Sequence, residues 1–301
     1  MRYATGVALC LAAGTIWSLM GLGLRQIEEA SVWQILFWRS VGMIPVLLGF
    51  MWWTSRGHPI AALGAVGGAG VAGGLGLVLA FSGAIYAFQT TTVANAVLLF
   101  AASPFVAAVL GWLILREAVH PRTWIAIAIA VFGMYLMVAD GLETGAIAGN
   151  LAALASAAGF GAFSVALRRG RVGDMMPVAF LGSVFSTLFA GAVLLVRGEP
   201  ILALPQDMAV AFAVGFFVVA MGMVLFTLGS RVVPAAELTL LSLVEVLLGP
   251  IWVWLALGET ASRNTLIGGA VLLAGVVLNA AMGLRAPRVG GVAQTGRPVN
   301  D

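Results

Sequence analysis

The sequence predicts an all-α integral membrane protein with ten transmembrane helices, arranged as two five-helix repeats of inverted topology. Three observations carry that prediction: the composition, the spacing of the apolar runs, and self-similarity at one offset. Of 301 residues, 61% are hydrophobic and 9% are charged, and the mean hydropathy is +1.07. A soluble domain carries roughly a quarter charged residues, so this chain has far too little polar surface to cover itself in water. A spanning helix needs about 20 mostly apolar residues, so the chain has room for roughly ten spans joined by short loops. Lipid admits only helices or closed barrels, and these apolar runs are too long and continuous for barrel strands.

Taken in order, the spans are expected at 5–24, 33–53, 65–88, 92–115, 122–139, 145–167, 176–196, 208–230, 234–257 and 265–283. The first run reads as a span, not a cleaved signal, because no short apolar region ends in a clear cleavage site. Cys10 lies within it; as the single cysteine it has no internal disulfide partner and reads as a small buried hydrophobe. The segment 285–301 is rich in Gly, Pro, Arg and polar residues and is expected to be a disordered cytoplasmic tail.

Orientation follows from charge. All fifteen basic residues are Arg. With the N-terminus in the cytoplasm, eleven of them fall on the cytoplasmic side, from Arg2 to Arg297. Only Arg25, Arg197 and Arg263 fall outside, and Arg39 falls within a span. That asymmetry predicts cytoplasmic termini. The acids trend the other way, with Glu28, Glu29, Asp140, Glu143, Glu199, Asp207 and Glu259 outside. The formal charge of +3 is dotted singly between apolar runs, so it forms no nucleic-acid footprint.

Sliding the chain on itself by 142 residues brings Ala94 onto Ala236, Leu99 onto Leu241, Trp112 onto Trp254, Glu117 onto Glu259, Gly133 onto Gly275 and Leu136 onto Leu278. An offset of 146 brings Trp17 and Ser18 onto Phe163 and Ser164. The repeats are assigned to 1–141 and 142–284. Five spans per half force the second half to enter from the opposite side, an arrangement that in transporters places a site near the midplane between the halves.

Several motifs resemble one family. The stretch YAFQTTTVANAVLLFAASPFVAAVLGWLILREAV, Tyr86 to Val119, resembles the third and fourth spans of EamA-type members of the drug/metabolite transporter superfamily. PAAELTLLSLVEVLLGPIWVWLALGET, Pro234 to Thr260, resembles the matching ninth span. GTIWS at 14–18 is similar to the first-span Trp motif, and LFWRSVG at 36–42 to the second-span Arg motif. Two positions depart from the pattern: Arg116-Glu117 stands where the family has Gly-Glu, and Val246 stands where the repeat partner has Pro104. Within the family the chain is most similar to bacterial amino-acid exporters, including the aromatic type. The resemblance implies export of small metabolites through a central cavity lined mainly by spans 1, 3, 4, 6, 8 and 9, with the bilayer and a small-molecule substrate as partners and no cofactor.

Ionisable groups inside a membrane are functional candidates by default. Glu245 is expected roughly 17 Å into span 9, near the midplane. It is read either as a protonatable group or partner for a substrate amino group, or as a protonated Glu packed between helices. Glu237 lies two turns earlier on the same face and could simply meet interfacial water. Arg39 could clamp a carboxylate or snorkel outward as a structural group. Pro104 and Pro250 free backbone carbonyls. The candidate cavity wall combines polar Ser18, Asn95, Ser103, Ser164, Thr227, Thr239 and Ser242 with aromatic Trp17, Tyr86, Phe100, Phe160, Phe163 and Trp252, although each polar group alone more often makes a helix–helix hydrogen bond. Gly68, Gly70 and Gly73 spell GxGxxG, but in an apolar span with no strand the motif reads as helix packing, not a dinucleotide site.

The expected function is therefore export of small neutral metabolites, amino acids including hydrophobic or aromatic ones, across the bacterial inner membrane by alternating access. Proton coupling through Glu245 and uncoupled facilitation are both consistent with the sequence, as is export of other metabolites or drugs. A membrane-embedded lipid-modifying enzyme is the reading from another class. It would need clustered acids or a His-acid pair, and His58 and His120 lie in separate loops beside Arg residues, with no metal-binding motif.

Overall fold

Every apolar run becomes a helix, and three of those helices are interrupted. The computed structural model describes residues 1–144 and 146–285; the tail read as disordered lies outside them beyond Arg285. Ten helical segments are long and apolar enough to cross a membrane, and no strand occurs among the described residues. Span 1 is α1 (Tyr3–Trp17) followed by α2 (Met20–Leu24). Span 2 is α3 (Val32–Thr54), and a short α4 (Pro59–Ala65) leads into span 3, α5 (Gly67–Thr90). Span 4 is split into α6 (Val93–Phe100) and α7 (Ser103–Leu115). Spans 5, 6 and 7 are α8 (Pro121–Thr144), α9 (Ile147–Arg169) and α10 (Met176–Arg197). Span 8 runs through α11 (Pro205–Ala213), a π-helical segment (Val214–Ala220) and α12 (Met221–Ser230). Spans 9 and 10 are α13 (Ala235–Leu257) and α14 (Arg263–Arg285). The expected boundaries fall within a few residues of these. The short α4 is a helix that the apolar runs do not predict.

Two inner trios face each other: spans 1, 8 and 9, and spans 6, 3 and 4. Spans 2 and 7 pair along one side, and spans 5 and 10 along the other. Small residues set the closest approaches, as expected where lipid gives helices no hydrophobic reason to associate. A Cβ on Gly159 would lie 2.5 Å from both Ala80 N and Gly76 O, so spans 6 and 3 touch backbone to backbone. The GxGxxG stretch belongs to the same packing, since a Cβ on Gly73 would meet Val178 on span 7 at 2.8 Å and Ala166 on span 6 at 3.5 Å.

The face opposite the N-terminus, called here the far face, is tied down by its loops. Asp207, in the first turn of α11 and 1% exposed, accepts from the backbone N–H groups of Glu28, Glu29 and Ala30 at 3.3, 3.0 and 2.9 Å. Trp38 donates to Ile201 O at 3.0 Å. Toward this face the trios meet, with α13 packing on α6 and α2 on α5. Toward the N-terminal face they part: α1 packs on α12 and α13, and α7 packs on α9, but among the described residues neither α1 nor α13 makes an extended contact with α7 or α9.

Candidate functional site

The interruptions lie inside the spans, and those of spans 1 and 8 are tied to each other. In span 1 the Ser18 hydroxyl bonds back to Thr15 O at 2.6 Å, competing with the helix ladder just where α1 ends. Trp252 of span 9 donates to that hydroxyl at 2.9 Å. Next to it, Trp17 Nε1 donates to Val219 O, a carbonyl of the π-helical segment in span 8, at 3.3 Å. The Trp17 ring tilts against Phe226 at 5.4 Å. In span 4 the chain turns at Ala101–Ala102 and restarts with Ser103 and Pro104, where proline has no N–H to continue the ladder. Irregular backbone at membrane depth persists only where protein buries it or a watery cavity meets it, and π-helical turns often accompany functional positions.

Glu245 sits beside these breaks. Gly249 on α13 opens toward Ser18 O and Val97 Cγ2, each 3.7 Å from where its Cβ would be. Spans 4 and 9 run antiparallel. One turn toward the N-terminal face, about 6 Å along each axis, therefore sets Glu245 level with the Ala101–Ala102 break. On the other side Gly14 of α1 leaves room, with Glu245 N 3.6 Å from its absent Cβ. Leu247, Ile251, Trp254 and Leu255 are exposed along one side of α13, and at 100° per residue Glu245 points away from them. It is half-buried, and no ion pair or hydrogen bond reaches its carboxylate among the described residues.

The other expected site residues divide. Trp17, Ser18 and Trp252 belong to this cluster. Phe100, half-buried at the end of α6, stacks edge-on to Phe88 at 5.5 Å, and Ser103 is half-buried at the start of α7 beside Pro104. Ser242 is half-buried on α13, and Thr227 is buried with its hydroxyl unpartnered among the described residues. Ser164 bonds back to Phe160 O at 3.0 Å within α9. Phe163 is 2% exposed in the contact between spans 3 and 6. Tyr86 is 39% exposed on α5. The Thr239 side chain lies outside the described residues. Pro250 sits inside α13, which continues through it. Glu237, in the first turn of α13, accepts from the Tyr3 hydroxyl. Arg39 points inward: it is 1% exposed and lies 4.4 Å from the centre of the Phe81 ring, with Nε and Nη2 unpartnered among the described residues. Asn95 is buried at the far face, where it bonds Thr91 at 3.2 Å and also Asn150.

That far face holds residues the sequence reading did not select. Arg25 Nε lies 2.9 Å from Glu259 Oε2, and Arg25 Nη2 donates to Thr91 O at 2.8 Å. The other Glu259 oxygen accepts from Val93 N at 2.6 Å. These groups border a cavity of about 650 Å³ that also reaches Asn95 and Thr265. At the N-terminal face Arg168 Nη1 lies 2.6 Å from Glu117 Oε2, and Arg168 Nη2 donates to Ala107 O at 2.8 Å. The signal for all four was available. Glu117 and Glu259 match at offset 142, and Arg25 and Arg168 match at 143.

A sequence model of the EamA-like transporter family matches residues 4–139 and again 147–281. The chain belongs to that family. The double match also gives the two repeated halves. Among curated proteins, the chain is 25% identical over 193 residues to the uncharacterized transporter YwfM of Bacillus subtilis (strain 168), spanning 63% of this chain and 65% of that protein. It is 28% identical over 196 residues to an uncharacterized transporter of Archaeoglobus fulgidus, spanning 64% of this chain and 69% of that one. A solved crystal structure of 18% identity shares the fold with a TM-score of 0.63, covering 96% of this chain and 100% of that one.

Proposed function

We propose that this EamA-family chain exports small neutral metabolites across the bacterial inner membrane by alternating access, with amino acids, including hydrophobic and aromatic ones, as the substrate class. The observation that carries this reading is the convergence of three irregular spans around one unpaired carboxylate. The Ala101–Ala102 turn lies level with Glu245, and the Ser18 break, with the π-helical segment tied to it through Trp17, lies about one turn toward the far face. A carboxylate there suits a substrate ammonium, and Trp17, Phe100 and Trp252 supply aromatic wall. Arg39 is the single Arg away from the ends of a span, which disfavours strongly anionic cargo. The trios part toward the N-terminal face and meet at the far face, so the cluster is reached from the side predicted to be cytoplasmic. That is the loading state of an exporter.

The test is flux into proteoliposomes that hold the purified protein, with a panel of labelled amino acids and with or without a pH gradient. Accumulation of one or more neutral amino acids supports the reading, and absence of flux for the whole panel removes the amino-acid class. Coupling is separable. If Glu245 carries the proton, Glu245→Gln abolishes gradient-driven accumulation but retains exchange, whereas flux indifferent to both the gradient and the substitution identifies a facilitator.

A further inference from the structure

Glu259 does more than pair with Arg25. It sits just past the αL cap Gly258 of α13, and its carboxylate reaches the other trio at Val93 N, the first N–H of α6. Arg25 reaches the same place through Thr91 O. The charged pair therefore grips both a donor and an acceptor at the start of span 4. The chemistry fits, because the first N–H groups of a helix have no partner within it and carry partial positive charge.

The inverted repeat supplies the same parts at the other face. Adding 142 turns Glu117 into Glu259, Arg116 into Gly258, Thr92 into Pro234 and Val93 into Ala235. Arg116 and Gly258 are both αL caps, and Thr92 and Pro234 are both N-caps. The equivalent of the far-face contact would set Glu117 on the first N–H of α13 and Arg168 on Val233 O. Among the described residues that contact is not made. Arg168 instead bonds Ala107 O within its own trio, and the pair is far more exposed, 43% and 41% for the Arg168 and Glu117 side chains against 24% and 22% for Arg25 and Glu259. Pro234, the N-cap of α13, makes no side-chain cap hydrogen bond, so the first N–H groups of that helix are placed to donate to a carboxylate.

We propose that Glu259 and Glu117 are paired gate residues: Glu259 with Arg25 closes the far face by docking on the start of α6, and Glu117 with Arg168 closes the N-terminal face by docking on the start of α13 in the opposite state. The pairs work in alternation, because the trios part at one face when they meet at the other. This inference rests on the alternating-access reading above and adds the residues that set its equilibrium.

The experiment uses the full chain in lipid nanodiscs with Cys10→Ser, and spin-label distances across each gate. One labelled pair is Gln89→Cys with Thr260→Cys at the far face; the other is Arg169→Cys with Arg231→Cys at the N-terminal face. Loss of one charge-assisted hydrogen bond should move the ratio of states by about ten-fold. Glu259→Gln is expected to shift it toward far-open, and Glu117→Gln by a similar factor toward far-closed. The double swap Arg25→Glu with Glu259→Arg restores an ion pair but turns a carboxylate toward Thr91 O and a guanidinium toward Val93 N–H. It should leave the far gate open. Rescue by the swap would show that the ion pair alone holds the gate, and would overturn the proposal. Two distance populations that do not move in opposite directions in the Gln variants would overturn it while leaving alternating access intact. A single distance at each gate, insensitive to every variant, would overturn both.

Discussion

The two ends of this molecule carry the same pair of residue types in quite different settings. At the far face Arg25 and Glu259 are about three-quarters covered and bind backbone groups of a second trio. At the N-terminal face Glu117 and Arg168 are more than two-fifths exposed and, among the described residues, bind only their own trio. Near-equal offsets generate both pairs, so the sequence is close to symmetric where the structure is not. The difference teaches that an inverted repeat can set a symmetric set of parts in an asymmetric arrangement, and that the ion-pair environment marks the face at which the trios meet.

The comparison is most easily broken at Glu259. Glu259→Ala removes the partner of Arg25 and the acceptor for Val93 N–H together, both in a largely covered site. Truncating one side of a buried pair costs 3–5 kcal/mol, and the residual exposure here lowers the expectation to about 2–3 kcal/mol by reversible unfolding in mixed micelles. If the loss is under about 1 kcal/mol, the size expected of an exposed pair, the far-face contact is not the stronger one.

The helix starts give the next contrast. Thr92 caps α6 by accepting from Asn95 N at 3.2 Å, whereas its repeat partner Pro234 offers no side-chain oxygen. Thr92→Ala should destabilise by about 1 kcal/mol, and Pro234→Ala should lose nothing through capping. Equal losses from the two substitutions would remove the asymmetry between the helix starts.

Much of this was legible beforehand, for stated reasons. Ten spans follow from the lengths of the apolar runs, since lipid leaves the backbone no other way to satisfy itself. The inverted halves follow from an odd number of spans per repeat. Glu245 was found because a carboxylate at that depth stands out against Leu and Val. The breaks were harder. Pro104 signalled the one in span 4, but nothing local distinguishes the Ser18 break from its repeat partner Ser164, which stays inside an unbroken α9. Tertiary contact decides between them: Trp252 reaches Ser18, while among the described residues Ser164 bonds only its own helix. Asn95 read as cavity wall because a buried amide suits one, yet it equally suits the link it makes to Asn150 and Thr91. Polar type fixes the need for partners, not which partners are met.

Arg116 sharpens the comparison in the opposite direction. It takes φ 55° at the end of α7, where its counterpart Gly258 takes φ 69° at the end of α13. A side chain in that region crowds the following carbonyl at a cost of roughly 1–2 kcal/mol, and glycine avoids it. Arg116→Gly should raise stability by about 1 kcal/mol and make the two caps alike. A neutral or destabilising result would show that the Arg116 side chain makes an offsetting contribution at the N-terminal face.

The smallest effect is expected at Glu117, and its smallness is informative. Exposed pairs contribute 0.2–1 kcal/mol because water screens them and two long side chains must be held still. Glu117→Ala leaves Arg168 its bond to Ala107 O, and Gly111, which lies under the pair, needs no replacement partner. The expected loss is about 0.5 kcal/mol in the state described here. That value should grow toward the Glu259 figure if the protein is first held with its far face open, for instance by Glu259→Gln, because Glu117 would then lie against the start of α13. The quantity to measure is thus a double-mutant cycle on unfolding. A coupling near zero between positions 117 and 259, which lie at opposite faces, is the additive result expected of distant independent sites. A clear non-zero coupling across the membrane is the result expected if a single rocking equilibrium connects the two ends.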